Sequence, residues 1–212
     1  MPLDYHTAGV ISVAFFLLSL TGFAAQLREI RRRRQLFIQH NTSDEFERPT
    51  AILSLNQFFA SFLAFYSFLV YGLCSAPFNH YLVWTRLPAT MLVLGILYEI
   101  WHDRRSPSAA AAVLGAAAMI AATVALLLPG SQVTEESRQM SGWLAIFAAT
   151  IFGQGIIHQI IRVRTTGHTG AISLRMHQLT TLKDLSTILF ALAMPFAQGW
   201  PLMTVGAVGV IT

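Results

Sequence analysis

The chain has 212 residues, 54% of them hydrophobic and 11% charged, with a mean hydropathy of +0.56 and a formal net charge of +4. Soluble domains carry about 25% charged residues, so half the usual polar coat is missing, and a water-soluble enzyme, a disordered tail and a coiled coil are excluded. At ~20 apolar residues per membrane-spanning helix, this length holds seven spans with short loops and no sizeable soluble domain. The single cysteine, Cys74, excludes an intrachain disulfide and a multi-cysteine metal site.

Gaps between charged residues mark the spans. No Asp, Glu, Lys or Arg lies between Tyr5 and Leu27, which predicts span one over Ala8 to Leu27. The uncharged run from Pro49 to Thr85 is too long for one helix and breaks at Ser75-Ala76-Pro77-Phe78-Asn79, a turn-like cluster. Span two is therefore expected over Thr50 to Leu73 and span three over Tyr81 to Trp101. Span four is the alanine-rich Ala109 to Leu128, ended by Pro129-Gly130. Span five is Ser141 to Ile161, and span six, Ile172 to Met194, is the most polar. After Pro195 comes Trp200 to Thr212 as span seven. Thirteen helical residues there reach only ~20 Å, short of the ~30 Å hydrocarbon core, so this helix ends inside the bilayer or continues beyond Thr212.

Phe23-Ala24-Ala25 resembles a signal-peptidase site, but Met1-Pro2-Leu3-Asp4 carries no positive charge. The basic cluster Arg31 to Arg34 follows the apolar run instead, as in an anchor with its far end in the cytoplasm. Alternate loops then hold eleven of the fourteen basic residues on one side: Arg28, Arg31 to Arg34 and Arg48, next Arg104 and Arg105, and last Arg162, Arg164 and Arg175. The other side holds Arg138, while Arg86 and Lys183 lie within spans. By the positive-inside rule the N-terminus is outside and the C-terminus cytoplasmic. The arginine cluster is thus a topology signal, attractive to anionic lipid headgroups, and not a nucleic-acid patch.

A weak internal duplication is present. Span one ends Gly22-Phe23-Ala24-Ala25-Gln26 and span five ends Gly155-Ile156-Ile157-His158-Gln159; span two begins Ser54-Leu55 and span six Ser173-Leu174. Spans one to three repeat as five to seven, with span four as a linker that leaves both triplets in the same orientation. The expected units are 1–103, a linker helix 104–134 and a second bundle 135–212. Parallel repeats of this kind occur in carriers, with substrate at the repeat interface near the midplane.

The 3+1+3 layout, the Gly-x-x-x-Gln ends and the outside N-terminus resemble the PQ-loop superfamily, which includes the SWEET-like sugar carriers, lysosomal cystine and cationic amino-acid exporters and the KDEL receptors. Tyr71-Gly72 with Pro77, and Thr169-Gly170 through Ser173, fit the same pattern. The resemblance implies an all-α membrane protein of seven helices that moves or binds a small polar solute. The family's Pro-Gln pair reads Ala25-Gln26 and His158-Gln159 here, and spans two and six lack the remaining hinge prolines. A missing proline restores a backbone hydrogen bond and straightens the helix. Sugar carriers of the family place asparagines in spans three and seven; neither span contains one, which argues against sugar as cargo.

An ionisable side chain at midplane costs ~2.5–3.5 kcal/mol or more unless paired or hydrated. Lys183 and Asp184 lie at the centre of span six and are the sharpest functional signal. Helical neighbours point ~100° apart, so the two are not expected to neutralise each other face to face. Asp184 shares its face with His177, Thr180 and Thr181; with His158 and Gln159 on span five this predicts a proton-coupled site, Asp184 titrating and a histidine relaying. The competing reading makes Lys183, Asp184 and Arg86 a buried structural ion network. Gln26 and Gln159 read equally as substrate contacts and as interhelical hydrogen-bonding glue. Arg86 is expected to snorkel to the outer interface, the alternative being a cavity-facing contact for an anionic substrate. Asn56 and Gln57 read as glue or helix-end polar residues, and Glu99, His102 and Asp103 as solvated. Trp84, Trp101, Trp143 and Trp200 read as interface belts.

No paired-histidine metal motif, nucleophile constellation or phosphate loop is present, so no enzyme activity, metal or cofactor is expected. The expected function is a carrier in the plasma (inner) membrane for a small polar solute, working by alternating access as a uniporter or proton-coupled through Asp184, its partners being lipid and solute, as a monomer or homo-oligomer. The alternatives are a non-transporting receptor and a scaffold on the same fold.

Overall fold

The computed structural model describes residues 4–40, 48–75, 78–126, 135–167 and 174–211, and these form seven α-helices. They are α1 (Tyr5–His40), α2 (Leu55–Leu73), α3 (His80–Arg104), α4 (Pro107–Leu126), α5 (Glu135–Thr166), α6 (Leu174–Leu192) and α7 (Phe196–Ile211). Five of them, α1 to α5, are long and apolar enough to cross a membrane, and α7 is apolar but shorter. The chain is an integral membrane protein. Pro77, Pro129-Gly130, Thr169-Gly170 and Ser173, with the expected span limits Leu128, Ile172 and Thr212, lie outside the described residues.

Five boundaries differ from the sequence expectation by four residues or more: α5 runs from Glu135 to Thr166 rather than from Ser141 to Ile161, and the other three have local reasons. Span one does not end at Leu27: α1 continues to His40 because the arginines that follow are good helix formers. Glu29 accepts from Arg32 one turn on at 2.8 Å and from Arg33 at 3.0 Å. Span two does not begin at Thr50. Ser54 caps the helix by accepting from the Gln57 N–H at 3.3 Å, and the stretch before it is clamped to α3. There Asp103 accepts from the Thr50 N–H at 3.0 Å, and Arg104 donates to the Thr50 and Leu53 carbonyls. Span seven starts earlier than Trp200, because the Pro195 carbonyl accepts from Gln198 and Gly199 and so opens α7 at Phe196. Elsewhere the endings follow ordinary rules: Asn79 caps α3, and Ser106 caps α4 just before Pro107 at its first position.

Packing is pairwise and crossed. α2 lies on α5 and α3, α1 on α6 and α3, and α7 on α6 and α5, while α4 touches α3 and, more lightly, α2. Two of these crossings are closed by glycine. A Cβ on Gly22 would stand 2.9 Å from Met176 Cα of α6, and one on Gly155 would stand 2.7 Å from the Gln57 backbone nitrogen of α2. At one end, the rings of Tyr5, Tyr81 and Phe190 meet with centroids 5.3–5.8 Å apart and join α1, α3 and α6.

At the arginine-rich end, Glu99 is not solvated but only 5% exposed, a correction to the expectation. It receives Arg31 Nε at 2.9 Å and Arg34 Nη1 at 2.8 Å from α1. Arg34 also bonds the His102 ring, and Asp103 is engaged by Thr50. The sequence reading failed because a rim carboxylate is free only if no neighbouring helix extends past the membrane, and α1 does. Glu99→Leu leaves the two arginines without their shared acceptor. Both are partly exposed, so the expected loss in a micellar unfolding titration is only ~1–2 kcal/mol; an unchanged titration would show that the pair does not tie α1 to α3.

Candidate functional site

Six helices, all but α4, surround a cavity of about 50 Å³ at mid-height of the bundle. That is space for a few waters, well below what an amino acid or a sugar fills. Lys183 and Asp184 reach it from the middle of α6, with Thr180 and Thr187 one turn to either side. Ser61, Ala64, Phe65 and Phe68 face it from α2, Phe16 and Ala149 from α1 and α5, and Gly206 and Gly209 from α7. α3 contributes Arg86.

The charges are almost fully withdrawn from the surface: Arg86 and Asp184 are 3% exposed and Lys183 7%. Arg86 therefore does not snorkel; its guanidinium turns inward and lies 4.0 Å over the Phe16 ring. The aromatic face supplies part of what water would have supplied. Nη1 donates to Thr85 at 2.8 Å, whereas Nε is buried with no hydrogen-bond partner among the described residues. Asp184 acts on Arg86 through its field, without forming an ion pair with it.

Lys183 and Asp184 do neutralise each other, contrary to the expectation from their angular separation: Lys183 Nζ donates to Asp184 Oδ1. The 100° rule fixes where the two Cβ atoms point, and a four-carbon stem is long enough to bend round that angle. Lys183 Nζ is also 5.7 Å and 5.6 Å from the centroids of Phe16 and Phe65. The other carboxylate oxygen packs on α7, where a Cβ at Gly209 would overlap Asp184 Oδ2. The α7 backbone comes this close because Gly206 and Gly209 share a helix face.

The remaining expected site residues are dispersed. Thr180 lines the cavity, with its hydroxyl bonded to the Met176 carbonyl at 2.8 Å, and Thr181 bonds His177 in the same way. His177 is half-buried and is not among the lining residues, and His158 is exposed on α5, so neither histidine stands beside Asp184 as a relay. The Gln159 side chain lies outside the described residues. Gln26 is fully buried in α1 away from the cavity. Gln57 is buried with its Oε1 unpartnered among the described residues, while Asn56 is exposed.

Sequence reasoning missed Phe16, Phe65, Ser61, Gly206 and Gly209. A signal for the α2 residues was available. Counting the same number of residues from Ser54 and from Ser173 pairs Ser61 with Thr180, and Phe65 with Asp184.

Compared with family models, curated proteins and solved structures, the chain matches none.

Proposed function

We propose that the chain is a carrier for a small polar solute, built on a PQ-loop-like plan of two like-oriented bundles, α1–α3 and α5–α7, joined by α4, with the N-terminus outside. The single observation that carries this reading is the lining of the cavity. Ser61, Ala64, Phe65 and Phe68 of α2 are, position for position from Ser54, the mates of Thr180, Lys183, Asp184 and Thr187 of α6 counted from Ser173. Phe16 and Ala149 are mates by the same logic counted from Gly22 and Gly155.

Two further facts agree with it. Leaving α4 aside, which packs on α3 and α2 alone, the helix pairings among the other six are unchanged when α1, α2 and α3 are exchanged for α5, α6 and α7. Gly22 meets Met176 as Gly155 meets Gln57, which is the residue corresponding to Met176. A site at the junction of two like halves, with charge at mid-depth and an Arg86 Nε unpartnered among the described residues, fits solute binding near the bilayer midplane.

A cavity that holds a few waters has to widen before a solute enters it. Bending falls to α3 and α7, where Pro88 and Pro201 each remove one backbone hydrogen bond within the helix. The aromatic cluster of Tyr5, Tyr81 and Phe190 and the Glu99–arginine tie are the contacts to be broken alternately at the two ends. Asp184, held by one cation and near a second, is the group placed to exchange a proton during that cycle.

Proteoliposomes with an enclosed pH dye test this with a panel of sugars, amino acids and organic acids. One solute class is expected to enter with acidification of the lumen, and Asp184→Asn to remove the proton movement by tenfold or more. Folded wild-type protein with flux no greater than empty vesicles for every class would overturn the carrier reading, and binding without flux would make the protein a receptor.

A further inference from the structure

We propose that the cavity takes a small monocarboxylate anion, acetate-sized, held by Arg86 and Lys183 and carried with the proton that Asp184 accepts; this names the substrate class of the proposed carrier and rests on that reading. The charge count comes first. Among the described lining residues the ionisable groups are Arg86 from α3 and Lys183 and Asp184 from α6, and those of α1, α2, α5 and α7 add none. Two cations face one carboxylate, and a net positive charge buried at mid-membrane is costly unless an anion joins it.

The geometry says which anion. Arg86 commits Nη1 to Thr85 and stacks its face on Phe16, which leaves Nε buried without an acceptor among the described residues. Two in-plane N–H groups on one edge of a guanidinium match the two oxygens of a carboxylate, whereas a spherical halide engages them less well. Once the cavity has closed again round the solute it leaves room for only a few more heavy atoms, and Phe16, Phe65 and Ala64 provide apolar wall for a methyl group.

Coupling follows from the same three charges. A proton on Asp184 releases Lys183 and leaves two uncompensated cations, which favours the anion; the bound anion in turn favours the protonated carboxyl. Linkage makes the two effects equal.

Thermal unfolding of the purified full chain in detergent, with ionic strength held by sodium gluconate, reads this out. Sodium acetate is expected to raise Tm saturably, by roughly 5–10 °C at a hundredfold excess over Kd, and neutral acetamide to leave it unchanged. Arg86→Lys, which keeps the charge and loses the fork, is expected to weaken acetate about tenfold. Asp184→Asn is expected to tighten it about tenfold, the opposite of its effect on proton movement. No acetate response in the wild type, an equal response to acetamide, or an equal response to sodium chloride would each overturn the assignment. Acetate binding without flux removes the carrier reading and leaves the site; flux of a neutral solute without acetate binding does the reverse.

Discussion

Asp184→Ala is expected to cost ~3–5 kcal/mol in unfolding free energy, the range for removing one member of a buried charge pair. Lys183 then loses the acceptor of its ammonium, and Arg86 loses the one carboxylate among the described lining residues. The double variant Lys183→Met, Asp184→Leu restores the net charge of the cluster and fills the space with apolar atoms, so it is expected to recover more than half of that loss. Micellar unfolding titrations of the two variants check this directly. A loss under ~1 kcal/mol for Asp184→Ala would mean that water reaches the carboxylate freely and that the cluster is not a buried network.

The same pair of variants separates the structural reading of the cluster from the functional one. If Arg86, Lys183 and Asp184 serve only to hold helices together, the stable double variant retains whatever activity the wild type has. If they are the working site, stability returns and uptake does not. Stability alone never decides between the two, because a buried pair is strongly destabilising to break whichever purpose it serves.

Much of this arrangement was legible from residue order. Charge-free runs located the helices because lipid tolerates few charges, and Lys183-Asp184 stood out at the centre of a helix for the same reason. Gly22 and Gly155 were singled out by the sequence pattern around them, but their role as close-packed crossings emerges only when the partner backbone is seen. What escaped depends on contacts between distant helices. The direction of Arg86 is set by Phe16, seventy residues earlier in the chain, and the burial of Glu99 by arginines on an extended α1. His158 looked available because it adjoins Gln159, but adjacency in sequence says nothing about which face of α5 turns to the cavity. The Lys183–Asp184 bond was missed by treating side chains as rigid vectors.

Gly22→Leu and Gly155→Leu are expected to destabilise the bundle by similar amounts, ~2–3 kcal/mol each, the range for forcing side-chain volume into a closely packed site. Both added Cβ atoms strike backbone: 2.9 Å to Met176 Cα in one case, 2.7 Å to the Gln57 nitrogen in the other. A rotamer change in a neighbour relieves neither clash, so the helices themselves must separate. Gly115→Leu is the control. Nothing stands within 4 Å of a Cβ there, and α4 lies outside the ring of cavity helices, so the change should stay within ~0.5 kcal/mol. Equality of the two glycine effects is the informative quantity, because the proposed repeat requires it of two crossings that are mates. A large effect at Gly155 beside a negligible one at Gly22 would mean that α1 and α5 are unrelated supports. The cavity would then be a gap between unlike helices, with no reason to open alternately toward its two ends. Matched losses would instead make the α1–α6 and α2–α5 crossings equivalent surfaces, each smooth enough for one helix to tilt on the other.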